Sequence, residues 1–259
     1  MTTPLYTRDV GAGQAILMLH AFPLNSRMWE PQLDALATSA RLLAPDLPGF
    51  GLSPAPTTAP SLDDYARQVI AVLDTLAVSR VVVVGLSMGG YLAFRLLTEL
   101  GPRLVGLVLA DTRATPDTEA GAAARHRLAA EVEAGGVDVA ANEFLPKLLG
   151  VRTPRLRPEL LDRVRGIIRE NKAAGVAAAL RAMAARPDST PLLARVGCPV
   201  LCIAGEEDLL TPPDVARDMA RQTPRGRAVI IPGAGHLTNL EAPDAFNRAV
   251  TAFLHECPA

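Results

Sequence analysis

The chain has 259 residues, 49% of them hydrophobic and 20% charged, which is the balance of a globular protein with a sizeable apolar core. Its formal net charge is −1, so neither nucleic acid nor an anionic membrane is indicated as a general partner. No stretch approaches about 18 consecutive apolar residues, and the N-terminus lacks a basic segment followed by an apolar run, so neither a membrane span nor a secretory leader is expected.

Short apolar runs bounded by Gly, Pro or Asp recur along the chain. They lack polar alternation, which favours strands that are covered on both faces of a parallel sheet. Helical patterns lie between several of the runs, so the alternation predicts a doubly wound α/β domain. The predicted strands lie at 15–20, 40–46, 80–85, 103–111, 199–205 and 227–233.

Two helices are predicted in the first half of the chain. Residues 61–78 begin with Ser61 as a candidate N-cap and Asp64 in the first turn, and then show apolar residues at helical spacing. Residues 89–100 form a second helical pattern, which follows the strand at 80–85 almost directly. A sharp strand-to-helix connection is therefore expected between them.

The alternation of strands and helices stops after Asp111. Residues 112–196 contain several helical segments rich in Ala, Leu and Arg but no convincing strand, and strands resume at Pro199. A helical insertion between two core strands is the simplest interpretation, with residues 1–111 and 197–259 as the core. Its internal loops are expected at Pro154, Pro158, Pro187 and Pro191.

Three cysteines occur, Cys198, Cys202 and Cys257. A small odd number without framework spacing favours reduced thiols and a cytoplasmic location. Cys198 and Cys202 fall in a predicted buried strand, and no cluster of His or Cys accompanies them, so no metal site is predicted.

The strongest chemical signal is the sequence Gly85-Leu86-Ser87-Met88-Gly89 at the predicted strand-to-helix junction. A sharp turn there strains the serine backbone and exposes its hydroxyl, while the two glycines relieve crowding between strand and helix. The unpaired N–H groups at the start of the helix favour negative charge that develops near the serine. Ser87 is therefore the candidate nucleophile, and the alternative is an ordinary turn with a capping serine.

A serine hydroxyl needs a neighbouring base, and the chain has four histidines. His236 lies in a glycine-rich loop directly after the last predicted strand, where the imidazole can turn back across the sheet edge. His126 lies in a charged helical segment and His255 is close to the C-terminus, so both are expected at the surface. We therefore predict His236 as the base, with a loop histidine that caps the next helix as the alternative.

The imidazole in turn needs a carboxylate that fixes its tautomer. Asp208 lies just past the predicted strand at 199–205, which gives the chain order Ser87, Asp208, His236 for nucleophile, acid and base. The turn before the following prolines favours Asp208 as the inward-facing group. Three other carboxylates remain open as competitors: Glu206, Glu207 and Asp111.

Five segments together resemble the α/β-hydrolase superfamily over nearly the whole chain. They are His20-Ala21-Phe22-Pro23, the Asp46–Ser53 segment with its glycines, the Ser87 turn, the Asp208 loop and the His236 loop. The similarity is greatest to the carboxylesterase, enol-lactonase and cofactor-free haloperoxidase-like members. This resemblance implies an α/β-hydrolase fold, with a mostly parallel doubly wound sheet and a helical lid, residues 112–196, inserted after the sixth strand.

The resemblance also implies roles for individual residues. The backbone N–H groups of Phe22 and Met88 would form the oxyanion hole. His20 would support the oxyanion loop through a hydrogen bond, and Asp46 would shape a structural turn. The chain departs from the family pattern at Ala21, where glycine is usual, and alanine tolerates fewer backbone conformations.

These features predict a serine hydrolase that cleaves carboxylic esters or lactones of small, largely apolar substrates, without metal or organic cofactor. The same three residues also fit a carbon–carbon bond hydrolase or an enzyme like the hydroxynitrile lyases, and less readily a non-catalytic ligand receptor. The Ala-rich helices with Leu, Met and Phe144 suggest an apolar pocket wall, and the alternative is the ordinary packing face of a helix. Arg113, near the site entrance, is interpreted either as a partner for a substrate carboxylate or as a solvated surface residue. A homo-oligomer is possible.

Overall fold

One seven-stranded sheet forms the centre of the protein in the computed structural model, which describes residues 5–56, 58 and 60–258. Residues 1–4, which belong to the segment considered for a secretory leader, lie outside the described residues. The strands are β1 (Thr7–Val10), β2 (Ala15–Leu19), β3 (Arg41–Pro45), β4 (Val81–Leu86), β5 (Leu104–Ala110), β6 (Val200–Gly205) and β7 (Gly226–Ile231).

The strand order is β1-β3-β2-β4-β5-β6-β7, with β1 antiparallel to β3 and every other neighbouring pair parallel. Strands β2, β4, β5 and β6 are buried along their whole length. Leu17 and Val83 pack on one face of the sheet, while Ile16 and Val82 pack on the other. Burial on both faces explains why these strands are apolar without alternation.

The edge strand β1 was not predicted, because its sequence is largely polar. Its residues are partly or fully exposed, and β1 pairs only with β3. The carboxylate of Asp9 accepts hydrogen bonds from the Arg41 guanidinium across this pair. An exposed edge strand needs no apolar face, so the pattern that marks the interior strands is missing here.

Helices cover both faces of the sheet. Helices α2, α3 and α10 pack on one face, and α1 and α12 pack on the other. Among the described residues, no helix is both long and apolar enough to cross a membrane. The helices are α1 (Glu30–Leu36), α2 (Leu62–Thr75), α3 (Met88–Leu100), α4 (Glu119–Gly135), α5 (Val137–Leu148), α6 (Thr153–Leu156), α7 (Pro158–Arg169), α8 (Ala173–Ala184), α9 (Thr190–Leu193), α10 (Pro213–Gln222), α11 (Thr238–Glu241) and α12 (Pro243–Leu254), with 3-10 turns at Ser26–Trp29 and Gly101–Arg103.

The predicted start of α2 is confirmed in detail. The Ser61 hydroxyl accepts a hydrogen bond from the Asp64 N–H, and the Asp64 carboxylate accepts one from the Ser61 N–H. This reciprocal pair satisfies two N–H groups that the first turn leaves without helical partners. The helix ends at Thr75, three residues before the predicted end, and the chain then turns through Ala77 at φ +53°.

Helices α4 to α9 lie between β5 and β6, and residues 112–196, all of them described, contain no strand. The strand before this insertion is the fifth of seven in the described chain, where the family resemblance implied the sixth. Among the described residues, five strands precede the insertion, which is one fewer than expected. The expected proline loops are also partly wrong, because Pro154, Pro158 and Pro191 lie in first helical turns, where proline's missing N–H costs nothing.

Candidate active site

Ser87 lies at the N-cap of α3, directly after β4, with φ +54° and ψ −111°. A serine rarely adopts this left-handed backbone, so the surrounding contacts must hold it there. Its N–H donates to the Ala110 carbonyl at 2.9 Å, and its own carbonyl accepts from the Gly90 N–H at 2.9 Å. The Thr112 hydroxyl donates to the same carbonyl at 2.8 Å. The turn is therefore anchored to both the neighbouring strand and the helix.

The two glycines beside Ser87 allow backbone to approach backbone. A Cβ atom on Gly89 would lie 2.1 Å from the Leu19 carbonyl oxygen, and one on Gly85 would lie 2.4 Å from the Gly89 carbonyl oxygen. Backbone atoms at those distances cannot move aside as the end of a side chain can. The sequence Gly-x-Ser-x-Gly is thus required by the packing of α3 against β2 and β4.

Replacing Gly89 by alanine should lower the free energy of unfolding by about 1–3 kcal/mol or more, the usual cost of overpacking a filled core. Urea denaturation of the purified variant measures the loss. Gly166→Ala is the matched control, because Gly166 lies in the interior of α7 and a Cβ there meets nothing within 4 Å. That control should gain roughly 0.5–1 kcal/mol of stability. If Gly89→Ala and Gly166→Ala changed the free energy of unfolding by the same amount, the packing argument would be contradicted.

His236 and Asp208 complete a chain of contacts that begins at Ser87. The His236 Nε2 atom lies 2.8 Å from the Ser87 Oγ, and its Nδ1 atom lies 2.8 Å from the Asp208 Oδ2. His236 stands in the loop between β7 and α11, and Asp208 in the loop between β6 and α10. All three side chains are buried. The structure thus brings the predicted nucleophile, base and acid into direct contact at the carboxyl ends of the parallel strands.

The Asp208 carboxylate is fixed by its own loop. Its Oδ1 accepts from the N–H groups of Leu210 and Thr211, and its Oδ2 accepts from the Thr211 hydroxyl at 2.5 Å. Burial raises the pKa of Asp208, but the nearby His236 and these hydrogen bonds outweigh it, so the pKa lies below its usual value. Sequence reasoning missed Thr211, although an Asp three residues before a Thr-Pro pair in a turn could have indicated this bond.

The three competing carboxylates accept hydrogen bonds from groups other than His236. Glu206 accepts from the Gly233 N–H, and Glu207 accepts from the Val151 N–H. Asp111 accepts from the Gly205 N–H at 2.9 Å and from the Thr238 hydroxyl at 2.5 Å, and no bond joins it to His236 among the described residues. The geometry therefore favours Asp208.

Burial, together with the negative charge of Asp208, raises the pKa of Asp111 well above its usual value. Both effects favour the protonated form of a carboxyl group over the ionised form. Asp111 is thus a buried hydrogen-bonding group beside the site, with a backbone φ of +45°.

The loop that carries His236 is held by Glu241, which sequence reasoning did not single out. The Glu241 carboxylate accepts from the N–H groups of Gly235 and Gly150, both at 2.8 Å, and from the Thr153 hydroxyl at 2.6 Å. Gly150 and Thr153 belong to the insertion. One carboxylate therefore ties the His236 loop to the helical segment, a long-range contact that leaves no local signal in the sequence.

The two predicted oxyanion donors follow β2 and begin α3. Among the described residues, neither the Phe22 N–H nor the Met88 N–H donates a hydrogen bond to another protein group. Both N–H groups can therefore donate to an oxyanion, which is compatible with their predicted role. Ala21, the departure from the family pattern, does not have a positive φ, so alanine fits the loop without strain.

His20 connects the Phe22 loop to the segment after β3. Its Nε2 accepts from the Leu47 N–H at 3.0 Å, which leaves the proton on Nδ1 to donate to the Ala21 carbonyl at 3.0 Å. Burial lowers the pKa of His20, in keeping with a neutral ring. Asp46 accepts from the N–H groups of Ser26 and Leu52, so it shapes a turn away from Ser87.

The other histidines and the cysteines lie apart from Ser87. His126 and His255 are exposed. The three cysteines are buried and free, and burial raises the pKa of Cys202 to about 12, so its thiol stays protonated. Within the described residues, no three His, Cys, Asp or Glu side chains are grouped so that they could hold a metal ion.

A cavity of about 100 Å³ opens beside Ser87 and His236. Its wall comes from both the core and the insertion. Phe144 from α5 meets Phe22 edge to face, with ring centroids 5.1 Å apart. The remaining lining residues are Tyr91, Arg113, Asp117, Arg125, Met183, Leu210 and Thr211.

A doubly wound, mostly parallel sheet with Ser, His and Asp in contact at its carboxyl edge defines the class of α/β hydrolases. The chain belongs to the alpha/beta hydrolase family, whose model matches residues 16–249. The predicted family and fold class are therefore confirmed.

Individual relatives span nearly the full chain. An esterase from Thermogutta terrifontis, solved with malate bound, has 38% identity and a TM-score of 0.95, and the match covers 97% of this chain and 93% of that one. The enol-lactonase from Burkholderia xenovorans LB400 has 28% identity and a TM-score of 0.90, with 97% and 96% covered. The 2-(acetamidomethylene)succinate hydrolase of Mesorhizobium japonicum is 28% identical, with 96% and 91% covered.

Proposed function

We propose that this hydrolase cleaves carboxylic esters or lactones of small substrates through an acyl-enzyme on Ser87. The observation that carries the proposal is the continuous contact from Ser87 through His236 to Asp208, with 2.8 Å at each step. A serine so placed can lose its proton to the imidazole as it attacks, and the carboxylate keeps that imidazole in the required tautomer. The relatives named as esterase and enol-lactonase support the choice of carbonyl substrate.

In the first half of the reaction, the Ser87 Oγ attacks the carbonyl carbon while His236 Nε2 takes the hydroxyl proton. The carbonyl oxygen becomes an oxyanion, which accepts hydrogen bonds from the backbone N–H groups of Phe22 and Met88. The loss of one such donor typically raises the barrier by about 2.7–4 kcal/mol. Collapse of the intermediate breaks the bond to the alcohol, which leaves with the proton from His236.

In the second half, a water molecule takes the place of the alcohol. His236 removes its proton as it attacks the acyl carbon, and the intermediate then releases the acid and returns the proton to Ser87. In a lactone the leaving alcohol stays attached to the acyl group, so one product carries both groups. None of these steps requires a metal or an organic cofactor.

The insertion, residues 112–196, would act as a lid that limits the size of the substrate. Its residues Arg125, Phe144 and Met183 line the cavity beside Ser87. At about 100 Å³, the cavity is much smaller than the roughly 300–1,000 Å³ of sites for drug-sized ligands. Short acyl groups should therefore fit, and long ones should be excluded unless the helices move.

A series of 4-nitrophenyl esters from acetyl to octanoyl tests this proposal. Turnover should be fastest with acetyl or butyryl and should fall by at least about tenfold at octanoyl, because each excess methylene must be placed outside the cavity. A fluorophosphonate should then stop turnover by forming one adduct, on the peptide that contains Ser87.

Other outcomes would contradict the proposal in different ways. An adduct on another residue would exclude Ser87 as nucleophile. Binding of esters without turnover would favour the receptor hypothesis. Turnover of a 1,5-diketone in place of any ester or lactone would favour carbon–carbon bond hydrolysis by the same three residues.

A further inference from the structure

The cavity beside Ser87 is lined by two arginines, and arginine is rarely buried without a partner. Arg113 follows β5, and Arg125 lies in α4. They share the cavity wall with Phe22, Phe144 and Met183, so a charged end and an apolar end face the same space. The proposed mechanism uses neither arginine.

A third arginine lies just behind this wall. The Arg186 side chain is only 4% exposed, and its guanidinium carbon stands 4.2 Å above the centre of the Tyr91 ring, itself part of the wall. Arg186 also donates to the carbonyls of Met183 and Thr115. It is therefore a fixed positive charge next to the cavity.

A single carboxylate, that of Asp117, pairs with two of these three guanidinium groups, those of Arg125 and Arg186. Its Oδ2 accepts from the Arg125 Nε at 2.5 Å, and its Oδ1 accepts from the Arg186 Nη2 at 2.8 Å. Burial raises the pKa of Asp117, but the hydrogen bonds from both arginines outweigh it and hold the pKa below its usual value. Asp117 therefore pairs with Arg125 and Arg186, and Arg113 lies outside this ion-pair network.

Arg113 has no carboxylate partner among the described side chains. Its Nη2 donates to the Leu210 carbonyl, while its Nε is buried without any partner. A guanidinium offers five N–H donors, and among the described residues only one Arg113 donor has a protein acceptor. A half-buried cation with unused donors costs solvation free energy unless a ligand supplies the acceptors.

We infer that the substrate of this enzyme carries a free carboxylate, which Arg113 binds while Ser87 attacks the ester or lactone carbonyl, with Arg125 as a second donor. The planar fork of a guanidinium matches the two oxygens of a carboxylate. The apolar side chains around it suit the short carbon chain between the two groups. The inference rests on the proposed esterase or lactonase function and narrows its substrate class.

Two matched pairs of esters test the inference. Monoethyl succinate and ethyl succinamate differ by a carboxylate against a neutral amide on the acyl side, and 3-acetoxypropionate and 3-acetoxypropionamide differ in the same way on the alcohol side. Acid release followed by titration gives kcat/KM for each. The native enzyme should prefer one of the carboxylate esters over its amide by about 10–100-fold, the usual effect of a charge-assisted hydrogen bond.

Arg113→Met should reduce that preference to near unity, mainly through KM, and Arg113→Lys should restore part of it. If Arg113 only held Leu210 in place through the hydrogen bond to its carbonyl, Arg113→Met would lower kcat/KM equally for the carboxylate ester and the amide ester of a pair. Their ratio would then be unchanged. Arg217→Met is the control for charge alone, because Arg217 lies on the exposed side of α10 and pairs with Asp214. In Arg217→Met, the ratio of kcat/KM for the carboxylate ester to kcat/KM for the amide should equal that of the native enzyme.

Binding measured without turnover separates this inference from the proposed function. Calorimetry on the Ser87→Ala variant should show that monoethyl succinate binds more tightly than ethyl succinamate, and Arg125→Met in that background should weaken the difference if Arg113→Met does not fold. If no ester is hydrolysed but this binding difference is present, the carboxylate site stands and the proposed reaction fails. Equal binding of the two compounds, or equal turnover by the native enzyme in both pairs, would overturn the inference.

Discussion

Ser87→Ala is expected to lower kcat for a short-chain ester by about 10⁶-fold, the scale found when the nucleophile of a comparable Ser-His-Asp enzyme is removed. The alanine cannot form the acyl-enzyme, so only binding and the oxyanion donors remain to accelerate attack by water. Pre-steady-state measurements with excess 4-nitrophenyl ester should show no burst of 4-nitrophenol. Ser39→Ala is the matched control, because Ser39 is an exposed serine in the turn after α1, and its turnover should equal that of the native enzyme.

The double variant Ser87→Ala/His236→Ala sharpens the test. His236 acts on the serine proton, so its removal should lower the rate by less than about tenfold once the serine is gone. If the two losses instead multiplied, the residues would act independently, and the 2.8 Å contact between them would have no part in the chemistry. Urea denaturation of each variant checks that the loss of rate does not come from unfolding.

The local part of this site could be predicted from the sequence. A run of valines, a glycine on each side of Ser87 and a helical pattern afterwards are sequence-adjacent, and the packing of α3 against β2 requires them together. The start of α2 is equally local, since Ser61 and Asp64 are three residues apart. Features of this kind follow from backbone geometry that a few residues determine.

The choice of acid was less accessible. Asp208 follows one predicted strand and Asp111 ends another, so the sequence favoured Asp208 but left Asp111 as a competitor. The structure separates them through Thr211, which holds Asp208 toward His236, and through Thr238 and Gly205, which occupy Asp111. These contacts depend on how neighbouring strand ends are placed in space.

The least accessible features join distant segments. Glu241 holds the His236 loop to Gly150, and Asp117 joins Arg125 to Arg186 across the insertion. Each of these residues looks like an ordinary surface charge in the sequence. Their partners are set by how the helices of residues 112–196 pack with one another and against the core, which no periodic pattern encodes. For the same reason the sequence left Arg113 between a solvated residue and a substrate ligand.

Asp208→Asn is expected to lower kcat by about 10⁴-fold, whereas Asp111→Asn should lower it by less than about tenfold. An asparagine at 208 would donate to His236 Nδ1, which puts the ring proton on Nε2, where it cannot take the Ser87 proton. At 111 the side chain makes no hydrogen bond with His236 among the described residues, and burial and the Asp208 charge raise its pKa, which disfavours the ionised form. The amide has the same shape as the carboxyl group, and asparagine tolerates the φ of +45°.

Stability provides an independent check on Asp111 in the same pair of variants. Because its pKa is raised in the folded state, the folded protein binds the proton more tightly than the unfolded chain does. That contribution to stability is present below the unfolded pKa of about 3.8 and is lost as the pH rises. Asp111→Asn lacks the titrating group, so urea denaturation should show it gaining stability relative to the native enzyme as the pH rises above the unfolded pKa of about 3.8. A large loss of kcat in Asp111→Asn, with Asp208→Asn nearly unaffected, would transfer the role of the acid to Asp111.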